Sequence, residues 1–167
     1  MRLLTPYPLL LLAALAACGQ MEPPAEPQEI KPGTACSMDG MILADFPGPK
    51  GQIHYVSGKP DFFCDTMEMF SIYLQPEEQK RVTGIFTQDM GKADWEKPQD
   101  HWIDARTAYF VLGSSRTGSM GPTLASFADQ EAAETFAKQY GGKVLRFDEV
   151  TIEMSDLTGG ADHSGHM

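Results

Sequence analysis

One order of elements, strand, strand, helix, strand, can be read twice between Cys36 and Leu157, and this recurrence constrains the fold more than any other feature of the chain. In the first passage, residues 41–46 are apolar enough for a strand and are broken by Pro47-Gly48-Pro49-Lys50-Gly51, which cannot continue a ladder. Residues 52–57 set Ile53 and Tyr55 against His54 and Val56, so the two runs are expected to form a hairpin. Asp61 then offers an N-cap to a helix over 62–74, where Phe62, Phe63, Met67, Phe70 and Leu74 recur near every third or fourth position. Pro76 stops it, and 82–87 reads as the next strand. After a connection over 95–101, residues 107–113 form a strong strand and 124–127 a short one. A helix over 129–140 follows, with Asp129 as cap and Ala133, Phe136, Ala137 and Tyr140 on one face. Gly141-Gly142 ends it, and 143–147 and 150–154 return as strands. The expected fold is α+β, with two related ββαβ units (35–92 and 105–157) on a shared core. That length excludes a large enzyme with separate cofactor and substrate domains.

The ends of the chain set its address. A single charge, Arg2, precedes an apolar run over 8–17 that closes on Leu15-Ala16-Ala17-Cys18. The run falls short of the roughly 20 apolar residues a spanning helix needs, and small residues stand where a peptidase would cut. Residues 1–17 are therefore expected to be a signal peptide. Cys18 resembles the lipid-bearing cysteine of a bacterial lipobox, which anchors the mature chain to a membrane on the periplasmic face of the envelope. Gly19, in place of an Asp, resembles outer-membrane rather than inner-membrane signals. Residues 18–34 are rich in Pro, Glu and Gln and read as a flexible lipidated tether. Residues 158–167, which include His163, His166 and Met167, read as a disordered tail with at most weak capacity for copper ions.

The whole chain has a net charge of −10, and losing Arg2 with the leader makes the mature protein more acidic by one unit. Such a surface does not seek nucleic acid, whose phosphates demand clustered Lys and Arg. It suits a cationic partner.

The chemistry concentrates at Cys36-Ser37-Met38-Asp39-Gly40-Met41, where three sulfur donors lie within six residues. In extended backbone Cys36 and Met38 project to one side with Cα atoms roughly 7 Å apart, and Gly40 allows a turn that brings Met41 near. A thiolate with thioethers selects Cu(I) over Zn(II), Ca(II) or Mg(II). Such a site also balances one positive charge with one negative one. Met120 lies among Gly118, Ser119, Gly121 and Pro122, in a loop with little reason to supply a core residue. Met41 precedes Ile42 and Leu43 and suits a buried strand position as well as a ligand. Once Cys18 is lipidated, Cys36 and Cys64 form an even pair in an oxidising compartment, so a disulfide between them stands as an alternative. Cys64, placed on the first helix between Phe63 and Met67, otherwise reads as a buried, reduced structural thiol.

These residues carry a family resemblance. Cys36-Ser-Met38-Asp-Gly-Met41 resembles the Cys-x-Met-x-x-Met signature of NosL, a copper-binding accessory lipoprotein of nitrous oxide reductase assembly. The similarity extends through Asp61-Phe-Phe-Cys64-Asp-Thr-Met-Glu-Met69-Phe70, His101-Trp-Ile-Asp-Ala-Arg-Thr-Ala-Tyr109 and Ser119-Met120-Gly121-Pro122. It implies two related ββαβ units, Cu(I) as cargo, and Cys36, Met38 and Met120 as ligands, with Met41 as a further possible donor. It also implies delivery through the membrane complex NosDFY toward the copper centres of the reductase, a carrier's role and not an enzyme's.

Two rivals come from other classes. A disulfide-stabilised envelope binding module would join Cys36 to Cys64 and bury the methionines without a metal role. An oxidoreductase or hydrolase reading finds no Cys-x-x-Cys, Gly-x-Ser-x-Gly or His-Glu-x-x-His pattern. His54 and His101 read as structural residues.

Overall fold

The computed structural model describes residues 24–156. The signal segment, Cys18, the first part of the tether and the C-terminal tail lie outside the described residues. No helix among the described residues is long and apolar enough to cross a membrane.

The first half is built around β1 (Gly51–Tyr55), which pairs antiparallel with both β2 (Asp61–Phe63) and β3 (Val82–Gln88). The helix α1 (Thr66–Tyr73) carries the chain from β2 over β1 to β3, followed by a single turn, α2 (Pro76–Gln79), with Pro76 at its permissive first position. β4 (Trp102–Asp104) adds to the free edge of β3, giving the order β2-β1-β3-β4. In the second half, β5 (Tyr109–Leu112) lies between β8 (Ala125–Phe127) and β9 (Lys143–Arg146), which α3 (Gln130–Tyr140) connects. A two-stranded hairpin, β6 (Thr117–Gly118) with β7 (Gly121–Pro122), is inserted between β5 and β8. Each half thus runs strand, strand, helix, strand. In each, the first strand is sandwiched between two others that a helix joins in parallel.

Side-chain alternation along β5 joins the halves. Phe110 enters a core with Ile53, Phe63, Phe70, Leu124 and Leu145, while Val111 turns to the other face with Ala125, Phe127 and Ala133 beneath α3. Phe70 of α1 meets Phe110 edge to face at 5.0 Å, so the two units share one interior. Full burial of such a ring stabilises by about 1.5–3 kcal/mol.

Four expectations differ from what is observed. Residues 41–46 form no strand with β1. Ile42 makes one bridge with Ala35, and Leu43–Asp45 is a 3-10 turn that buries Leu43. The reason lies in the preceding loop, closed by Cys36 N–H to Met41 O (2.8 Å) and Gly40 N–H to Cys36 O (3.0 Å), with Gly40 at φ +79°. The first helix does not start at Asp61. Phe62 and Phe63 continue an edge strand, as aromatic residues favour, and the cap is Asp65, whose Oδ1 accepts from Met67 N–H. Cys64 consequently sits at the strand–helix junction rather than on the helix. Residues 150–154 enter a 3-10 turn over Ile152–Ser155 that packs against α1.

The tether differs most. Gln28 donates its N–H to Gln52 Oε1 (2.8 Å) and accepts from Gln52 Nε2 on its carbonyl (3.0 Å), and Trp102 Nε1 donates to Glu29 Oε2 (3.3 Å). Ile30 packs against Cys36, Leu43 and Cys64. The amide of the buried Gln52 thus supplies the donor and acceptor that a neighbouring strand would offer, and residues 28–34 form a strap on the domain. The polar composition of the segment does not reveal that partner.

Candidate metal centre

The loop ending at Met41 folds Cys36 inward, leaving it 4% exposed, with Met38 N–H 3.4 Å from its sulfur. Across from it lies Cys64, wholly buried. Because Asp65 caps α1, Glu68 falls in the first turn, four residues beyond Cys64, and its side chain leans back toward the helix start. One carboxylate oxygen, Glu68 Oε2, then accepts from both thiols, Cys36 Sγ at 3.3 Å and Cys64 Sγ at 3.1 Å. The position near the helix N-terminus favours its negative charge.

The two thiols are not equivalent. A hydrogen bond from Cys64 holds the Cys36 thiol below its ordinary pKa, against the opposing effect of burial, and backbone N–H groups of the loop assist. The same contact pushes Cys64 far up, reinforced by burial and by Glu68. The Cys64 proton thus has two acceptors, Glu68 Oε2 and the Cys36 sulfur, and it serves the sulfur when Cys36 ionises. Of the two thiols Cys36 is the one that ionises more readily, and both cysteines are free.

Met38 and Met120 are both exposed. Met38 is 44% exposed, its Sδ 3.9 Å from Ser71 Oγ on α1. Met120 is 53% exposed at the tip of the β6–β7 hairpin, where Gly121 supplies the positive φ of +102° that the turn requires. Its neighbour Ser119 donates from Oγ to Cys64 Sγ at 3.1 Å, which puts the hairpin tip at the thiols. Met41 is instead half-buried against Cys36, Leu43 and Cys64. Of the sequence-derived ligands, the structure therefore brings Cys36 and Met38 together and sets the Met120 hairpin against the same cluster. It gives Met41 a packing role.

Sequence reasoning missed the acidic side of the centre. Ligand atoms of Cys36, Asp39, Cys64 and Glu68 all lie within 4.8 Å of one another. The spacing of Cys64 and Glu68, flanking a capping Asp65, was the available signal, obscured by placing the helix start at Asp61.

Two further charged groups lie beneath the thiols. Lys50 is wholly buried and donates from Nζ to Pro47 O (2.8 Å) and Cys64 O (3.1 Å). Burial brings its pKa down to about 8, although Asp65, Cys64, Glu68 and Cys36 oppose the shift. Asp65 is pushed up to about 7, again by burial. The histidines stand apart: the ring of His54 contacts Gln52 Oε1 at 2.8 Å, and His101 is exposed in the β3–β4 connection. His163 and His166 lie outside the described residues.

A buried ionisable thiol, an exposed thioether two residues on in the same loop and a second one beside Ser119 are soft donors of the kind that suit a soft metal ion. Comparison with known proteins points the same way. The sequence model of the NosL family matches residues 27–155. The chain is 41% identical to the copper-binding lipoprotein NosL of Stutzerimonas stutzeri, over 94% of this chain and 84% of that protein. It is 35% identical to the copper-binding lipoprotein NosL of Achromobacter cycloclastes, over 86% of this chain and 77% of that one. The crystal structure of the copper chaperone NosL from Shewanella denitrificans superposes with a TM-score of 0.74 at 46% identity. That match covers 77% of this chain and 98% of the other.

Proposed function

The chain belongs to the NosL family, and from that premise we propose that it is a copper metallochaperone that carries Cu(I) on Cys36, Met38 and Met120. The observation that supports this reading is a nearly buried thiol with a lowered pKa, with the half-exposed Met38 in its own loop and the half-exposed Met120 next to Ser119, which bonds to the neighbouring thiol. Buried methionines fill gaps in cores; Met38 and Met120 do not, and their exposure suits donors that a partner must reach. Cu(I) and one thiolate cancel each other's charge, which limits the cost of holding the ion partly away from water. An acceptor ligand can displace the neutral thioethers first and the thiolate last, so transfer needs no bond-breaking catalysis.

The address follows the same proposal. Lipidated Cys18 anchors the protein at the periplasmic face of the envelope, in the outer membrane by the Gly19 signal. The metal passes through NosDFY toward the copper centres of nitrous oxide reductase. The disulfide-module reading requires Cys36 to be consumed, whereas here both thiols are free and donate to Glu68.

Anaerobic titration of the unlipidated protein with Cu(I), in competition with a chromophoric chelator, tests the proposal. One tightly bound Cu(I) with a sulfur-dominated X-ray absorption shell is expected, and Cys36→Ser should abolish tight binding. Binding that survives Cys36→Ser, or a shell of nitrogen and oxygen alone, overturns it. Loading should release about one proton when Cys36 starts protonated.

A further inference from the structure

The hairpin that bears Met120 belongs to the second half of the chain, while Cys36, Cys64 and Glu68 belong to the first, so something must set the distance between them. The contacts converge on Asp65. Its Oδ1 accepts from Met67 N–H (2.9 Å), which caps α1 and so places Glu68, and also from Thr123 Oγ1 (2.8 Å), the residue directly after β7. Thr66 extends the clasp, donating from Oγ1 to Leu124 O at 2.7 Å. At the base of the hairpin, Gly118 lies so close that a Cβ there would collide with Asp65 Oδ2 and would stand 2.9 Å from Thr123 Cβ. Gly48 closes the other side, where an added Cβ would meet Gly118 Cα at 2.8 Å. Trp95 Nε1 donates to Thr117 O at 3.1 Å, and Ser119 reaches Cys64 at the tip.

Asp65 Oδ2 is buried without a hydrogen-bond partner. An orphaned carboxylate oxygen is a destabilising feature that a stability role alone leaves unexplained.

We infer that Asp65 and Thr123 are positioning residues for the copper site: the carboxylate that caps α1 also grips the base of the β6–β7 hairpin and holds Met120 over Cys36. The inference rests on Met120 being a ligand, as proposed above. Asp65 Oδ1 joins the helix start that places Glu68 to the residue that ends the hairpin, and the Thr66, Trp95 and Ser119 bonds reinforce that junction. Supporting groups of this kind typically alter metal affinity by about 10- to 100-fold.

The test is a cycle of Thr123→Val, Met120→Ala and the double variant, with Thr123→Ser as the conservative control, all in the unlipidated full domain. Cu(I) affinity by chelator competition and sulfur coordination number by X-ray absorption are read together, and thermal melts verify folding. Thr123→Val should lose about 10- to 100-fold in affinity and one sulfur from the shell, Thr123→Ser should retain both, and the double variant should be no weaker than Met120→Ala. If Met120→Ala is impaired while Thr123→Val keeps wild-type affinity, or if the two losses multiply, the positioning role falls and the ligand assignment stands. If Met120→Ala binds like the wild type, the ligand assignment falls and the inference with it. Should Thr123→Val not fold, Thr123→Ala, which removes the same hydroxyl bond to Asp65 Oδ1, is read by the same outcomes.

Discussion

Glu68 Oε2 accepts hydrogen bonds from two thiols whose ionisation the structure drives apart. Alkylation at neutral pH should therefore modify Cys36 before Cys64, and peptide mapping should find Cys64 labelled only after unfolding; equal labelling in the folded state contradicts the asymmetry. Replacing Glu68 by Ala leaves the buried Cys64 thiol without that acceptor and is expected to cost about 1–3 kcal/mol in a denaturant melt. Cys36 and Met38 were legible in the sequence as candidate donors because that reading needs only residue type and local spacing. Glu68 was not, since its role depends on Cys36 arriving from a loop 32 positions away.

At the scale of elements, the hairpin and the strap are the parts most exposed to test. Gly118→Ala would push a methyl into Asp65 Oδ2 and Thr123, so the hairpin must shift or the base must strain. A loss of about 1–3 kcal/mol in stability is expected, with weakened Cu(I) binding; unchanged melting and affinity would show that the base is loose. Gln52→Ala removes both hydrogen bonds to Gln28, and limited proteolysis should then cut within residues 24–34 faster than in the wild type.

The same network sets a pH dependence. Burial holds His54 below its ordinary pKa of 6.5, so below that value the unfolded chain binds more protons than the folded one. Stability should fall as pH drops through about 6.5, and His54→Gln should flatten that slope in melts across the window. The strand–helix boundaries fell where local pattern was weakest. Phe62 and Phe63 suit a helix face or a pleated edge equally, and pairing with Gln52 and Gly51 decides for the edge.

Over the whole molecule, Ile53, Phe63 and Phe70 share a core with Phe110, Leu124 and Leu145, so the two halves should unfold together. A single calorimetric transition with matching van't Hoff enthalpy is expected, and residues 35–92 produced alone should not fold; two separated transitions would show independent units. Phe70→Ala should cost about 3–5 kcal/mol, because its ring meets Phe110 and Phe147 across the junction.

The sequence by itself determined the mixed class of the fold, the two long helical regions and the soft residues available as donors, because periodicity, breakers and donor chemistry are local properties. Only the tertiary structure decided that the two cysteines share a carboxylate, that residues 28–34 are a strap, and that the hairpin bearing Met120 reaches Cys64 through Ser119. Each of those depends on contacts between distant segments, which chain closure and the shared core bring together and which no window of sequence contains.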